Sequence, residues 1–133
     1  MKFLSAIIGC VMAVMPLCAH AENKHEGAHM KFEHTKWDFG NISIGGENEI
    51  HTFRFVNDGT EPLVVFATVT SCQCIRTEFS RKPLAVGESG EIQIVVDTKK
   101  LDEGIFHRII QVRSNSTGGT ENLIIEGVAK DNR

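Results

Sequence analysis

From Glu49 onward, short apolar runs alternate with clusters of Gly, Asn, Asp and Pro. That rhythm predicts β-strands joined by tight turns. Glu91–Asp97 is the cleanest case: Ile92, Ile94 and Val96 fall on one face, Glu91, Gln93 and Asp97 on the other, and Val95 interrupts the polar side. Successive strand side chains point to opposite faces, so this period of two marks a strand with one buried side. Glu49–Val56 repeats the pattern with Phe53 and Phe55, and Ile105–Arg113 with Phe106, Ile110 and Val112. Lys31–Phe39 predicts a first strand anchored by Phe32, Trp37 and Phe39. Leu63–Val69 is apolar almost throughout, as expected of a central strand. Ser71–Glu78 and Asn122–Val128 bring the number to seven. The turns fall at Gly45-Gly46, Asn57-Asp58-Gly59-Thr60, Val86–Gly90 and Ser114–Gly119, of which the Asp-Gly pair is the strongest signal. No sustained 3.6-residue period and no βαβ unit appears. The expectation is all-β: an immunoglobulin-like antiparallel sandwich of about seven strands over residues 31–130. Its core should contain Phe53, Phe55, Ile92, Ile94, Val96, Phe106 and Ile125.

The amino-terminal part has a different pattern. Lys2 precedes an apolar stretch from Phe3 to Leu17, and Ala19-His20-Ala21 places small residues where a signal peptidase reads. Residues 1–21 therefore predict a secretory signal peptide, and the protein is expected to be exported to the periplasm or cell surface. The stretch is short for a stable membrane span, which takes roughly 20 apolar residues. A lipoprotein is the alternative, with Cys10 after Ile7-Ile8-Gly9, although most of the apolar chain follows Cys10. Residues 22–30 carry almost no apolar content and predict a flexible, histidine-containing leader.

Cleavage after Ala21 leaves 13 basic against 17 acidic residues, because Lys2 departs. A mildly acidic domain without a basic cluster is not expected to bind nucleic acid. The 112 residues that remain are enough for a real core, held together by burial rather than by several disulfides.

A longer series is family-like: Trp37-Asp38-Phe39-Gly40, His51 through Gly59, Pro62-Leu63, Ser71-Cys72-Gln73-Cys74, Gly87–Gly90, Asp97-Thr98-Lys99, Ser114-Asn115 and Glu126-Gly127-Val128. In order and spacing it resembles a bacterial, usually exported domain-of-unknown-function family, DUF1573, which is similar to Hydin-type and major-sperm-protein-type sandwiches. The resemblance covers roughly residues 32–129. It implies an immunoglobulin-like fold and an interaction role, and it carries no activity. Gln73 and Ile75 depart from it, standing where the family usually has Gly and Thr.

Candidate chemistry centres on Cys72 and Cys74, the two cysteines left after cleavage. In an extended strand their Cα atoms would lie about 6.6 Å apart, near the upper limit for a disulfide, so a bridge needs a kink. Three readings stand: a structural bridge or buried thiol pair, a thiol-redox site, and a soft-metal site for copper or zinc. Two sulfurs alone do not complete a structural zinc site. His25, His29 and His34, with Met30, are the donors near enough in sequence to help. His51 and His107 sit in strands and read as ordinary surface or satisfied side chains. No nucleophile elbow, phosphate loop or calcium loop is present. The chain therefore reads as a non-catalytic interaction or scaffold module, meeting another protein through a sheet edge or loop end. The alternative is a small metal-handling or thiol-redox protein built on the Cys72/Cys74 pair.

Overall fold

The structure, a computed structural model, describes residues 26–131. The expected signal peptide over 1–21, Cys10 and His25 lie outside the described residues. Among the described residues there are eight strands: β1 (Met30–Phe32), β2 (Lys36–Ser43), β3 (Glu49–Asn57), β4 (Val65–Val69), β5 (Ile75–Phe79), β6 (Ser89–Val96), β7 (Gly104–Ser114) and β8 (Glu121–Lys130). One sheet has the order β1-β3-β6-β5 and the other β2-β8-β7-β4. Every pairing is antiparallel except β2 with β8, which is parallel.

The eighth strand comes from dividing Lys31–Phe39. Phe32 pairs with Phe55 on β3, and their ring centroids are 5.3 Å apart. The chain then crosses through Glu33-His34-Thr35 to the other sheet, where Lys36 pairs with Ile124 and Trp37 with Ile125. The change of sheet puts Phe32 and Trp37 on different sheets, so they do not share one strand face. Within β2 the register slips between Asp38 and Asn41. Gly40 takes φ 70° there, and its N–H donates to Asp38 Oδ1 at 2.7 Å. A residue with a Cβ disfavours that left-handed backbone, and a bulge of this kind blunts a sheet edge.

Packing against the sandwich begins earlier than the composition suggested. Ala28 and Met30 are buried, and the Thr60 and Thr117 amides donate to Gly27 O and Ala28 O at 2.7 and 2.8 Å. The segment from Gly27 to Met30 is thus sewn between the β3–β4 and β7–β8 connections and belongs to the sandwich.

Leu63–Val69 also differs from its expectation. It supplies β4, an edge strand, rather than a central one. Leu63 and Val65 bury their side chains, whereas Phe66 and Val69 remain exposed. An uninterrupted apolar run does not tell a central strand from an edge whose outer side chains happen to be apolar. The seven expected core residues are all buried, and they join Ile42, Leu63, Ile110, Val112 and Leu123 in one cluster between the sheets. Each such side chain contributes about 1.5–3 kcal/mol by leaving water.

Candidate functional site

The corner where the chain leaves β4 and enters β5 holds the two cysteines. Cys72, Gln73 and Cys74 form a turn closed by the Ile75 amide donating to Cys72 O at 3.3 Å. The turn brings the Cα atoms to 5.2 Å, inside the disulfide range, and Cys72 and Cys74 are bonded. The Cys74 amide donates to Cys72 Sγ at 3.3 Å. The two sulfur-bearing residues have unequal surroundings: Cys74 is 2% exposed, while Cys72 is half-buried and lines an open groove of about 510 Å³. Ser71 and Gln73 line the same groove, with His107, Arg108 and Ile109 of β7 facing them. A bridge spanning two peptide steps restrains the unfolded chain weakly. The loop-entropy relation gives about 1.6 kcal/mol, against about 3 kcal/mol for a 15-residue loop.

Of the leader-side histidines, His29 and His34 do not assemble around this corner. His29 Nδ1 is paired with Asp58 Oδ1 at the Asn57–Thr60 turn. His34 meets His51 instead, Nε2 to Nε2 at 2.9 Å. His25 lies outside the described residues. Among the described residues no group of three or more His, Cys, Asp or Glu side chains converges as a metal-binding set. The bonded sulfurs also offer no thiolate pair in this state. His29 and His34 are therefore not brought to the cysteines.

His34, Trp37 and His51 form a cluster at the open side of the sandwich. Alternation along β3 puts His51 on the same face as Phe53 and Phe55. The His51 ring stacks on Trp37, centroids 4.1 Å apart and planes within 6°, and meets Phe53 edge-on at 4.7 Å. A reading of His51 as an ordinary satisfied side chain misses this, because its partners come from the start of β2 and from the β1–β2 crossing, 14 and 17 positions away in sequence. Burial, and next the charge of His34, lowers the pKa of His51 from its ordinary value of 6.5. The fold thus prefers neutral His51, while the unfolded chain protonates near pH 6.5. The resulting stability is fully present above pH 6.5 and is lost as the pH falls from there through the lowered value. Urea midpoints measured between pH 8 and 5 should therefore decline more steeply for the native sequence than for His51→Gln. Equal slopes would remove His51 as the cause. Trp37, the sole tryptophan, reports the same transition by fluorescence.

The four sheet edges are unequally protected. β1 is three residues long and carries Lys31. β2 carries Lys36, Asp38 and the Gly40 bulge. β5 carries Arg76 and Glu78. These are the usual defences against added strands. From Leu63 to Thr70, β4 and its flanks have no charge, no glycine and no proline, and the one such feature is a register slip between Val65 and Ala67. The outer face beside it is also partly apolar, with Ile109 exposed on β7 and Ile105 88% exposed further along that strand.

Two four-stranded sheets packed around a single apolar layer, with one uncharged edge, define an immunoglobulin-like sandwich. Solved structures agree. A protein of unknown function from Porphyromonas gingivalis W83 superposes with a TM-score of 0.68 at 17% identity, over 79% of this chain and 48% of that one. The PapD-like domain 7 of human CEP192 gives 0.59 at 12% identity, over 96% of this chain and all of that one. The VesB protease of Vibrio cholerae gives 0.58 at 14% identity, over 77% of this chain and 32% of that one. Identities this low establish the fold alone, and the chain spans about half and about a third of the lengths of the Porphyromonas protein and the protease. No curated protein matches it by sequence. The chain belongs to DUF1573, a family of proteins of unknown function, whose pattern matches residues 30–129.

Proposed function

We propose that this protein is an exported, non-catalytic interaction module whose β4 edge accepts an extended segment of a partner protein. The observation that carries the reading is the uncharged run Leu63–Thr70 at a sheet edge, with Phe66 and Val69 exposed on it. Main-chain groups along an open edge supply affinity for an added strand, and alternate side chains supply selectivity. The sandwich neighbours support an interaction role for the architecture, including a structure named as a periplasmic chaperone, SfaE. Export is supported by the apolar stretch before Ala19-His20-Ala21. The acidic balance favours a protein partner over nucleic acid. Among the described residues no helix is long and apolar enough to cross a membrane.

The test compares capture from an envelope fraction by the native sequence, by Phe66→Lys/Val69→Lys, and by Ile105→Lys on the outer face. The double variant should lose the captured protein by about tenfold or more, equivalent to ~1.4 kcal/mol, and Ile105→Lys should retain it. Loss with Ile105→Lys and retention with the β4 variant would move the interface to the outer sheet face.

A further inference from the structure

We propose that the Cys72–Cys74 bridge is a thiol–disulfide exchange site, with Cys72 as the sulfur that an incoming protein or peptide dithiol attacks. This goes beyond the β4-edge reading and does not rest on it.

Access selects the sulfur. Cys74 is enclosed by the sandwich core, and Cys72 opens onto the groove formed with β7. Exchange proceeds by attack of a thiolate on an accessible disulfide sulfur, so only Cys72 presents a target. The groove also supplies a suitable charge. Arg108, always cationic, lines the groove with its guanidinium donating to His107 O at 2.8 Å, and a cation at the groove favours an approaching thiolate. The polar positions Ser71 and Gln73 flank the sulfur, and Ile109 supplies the apolar part of the groove.

The chemistry balances with a partner dithiol as reductant. A partner thiolate attacks Cys72 Sγ, and the Sγ–Sγ bond breaks. The electron pair stays on Cys74 Sγ, which takes up a proton. The partner's second thiolate then attacks the partner sulfur of the mixed disulfide and expels Cys72 as a thiolate. The partner leaves oxidised by two electrons, and the bridge has become two thiols. The Cys74 amide, already donating to Cys72 Sγ at 3.3 Å, is placed to stabilise the thiolate released in that last step. The weak restraint that a two-step bridge places on the unfolded chain agrees with a bond kept for exchange rather than for stability.

The test uses the purified protein in buffers of graded reduced-to-oxidised glutathione ratio, with acid quenching and thiol counting by mass. The bridge should open and close reversibly within the range of ratios the buffer spans. In the single variants, Cys74→Ser should form a mixed disulfide with glutathione about tenfold or more faster than Cys72→Ser, as the accessible thiol does. If either variant fails to fold, peptide mapping of the mixed disulfide trapped on the native sequence replaces the comparison, and glutathione should be found on Cys72. A bridge that stays closed in about a hundredfold excess of reduced glutathione overturns the proposal. So does glutathione found on Cys74, or equal rates for the two variants.

Discussion

Truncation of Phe53 to alanine should lower the unfolding free energy by about 3–5 kcal/mol, the range for a fully buried phenylalanine. Phe53 has no exposed surface and pairs with Ile92 at the middle of the β3–β6 ladder. Its ring also supports both histidines, with centroids 4.7 Å from His51 and 5.5 Å from His34. The cavity would therefore open beneath the His51–Trp37 stack, and the denaturation midpoint should fall together with a change in native Trp37 fluorescence. A domain of this size has roughly 5–15 kcal/mol of stability in total, so this one change removes a large part of it. Urea denaturation is the measurement. A loss under ~1 kcal/mol would mean that Phe53 is not in the core, and that the register of β3 is shifted by one residue, which exchanges the two faces.

The same residues indicate how far the sequence can be read. In β6 the alternation of Ile92, Ile94 and Val96 with polar neighbours carries strand, face and burial together, because one side meets the core and the other meets water. Where both sides of a strand are apolar that information is lost, and Leu63–Val69 therefore reads as central although it lies at an edge. The crossing at Glu33-His34-Thr35 lacks glycine and proline, so nothing in its composition signals a change of sheet. The cysteine pair was legible as a site, with a bridge as one of three readings. Extended spacing puts the two Cα atoms at the limit for a disulfide, and a turn closed by the Ile75 amide brings them within it. The histidine partners were not legible from neighbouring positions, because His34 meets a residue 17 positions away on β3 rather than the cysteines. Met30 read as a leader residue because the segment before it is polar. Its burial depends on contacts with the distant Ser114–Gly119 loop, where Ser116 Oγ accepts from the Met30 amide at 3.1 Å.

Asn57→Asp should destabilise the protein by about 3–5 kcal/mol near neutral pH, the cost of leaving a buried charge without a partner. The sequence marks Asn57 only as the start of a turn, yet its side chain is fully buried and joins three segments. Its Nδ2 group donates to Glu61 O at 2.8 Å and to Leu84 O at 3.1 Å. Its Oδ1 accepts from the Gly59 amide at 3.1 Å and from the His29 amide at 3.4 Å. The turn therefore holds both the amino-terminal segment and the β5–β6 connection. Gly59 is fitted to the same junction, because a Cβ there would stand 2.0 Å from Gly27 O. Aspartate has nearly the same shape as asparagine but no amide donors. It would turn a carboxylate oxygen toward two carbonyl oxygens with no cation bonded at that position, so the electrostatic penalty adds to the two lost hydrogen bonds. The sign with pH follows. The folded state favours the protonated carboxyl, which can donate to one carbonyl, so the folded pKa of Asp at this site is raised above its unfolded value. The penalty is therefore greatest above the folded pKa and shrinks as the pH falls toward the unfolded one. Urea denaturation of Asn57→Asp and the native sequence at pH 7 and pH 5 measures both effects. A deficit at pH 7 under ~1 kcal/mol, or one that grows on acidification, would show that the side chain does not hold the junction through its donors.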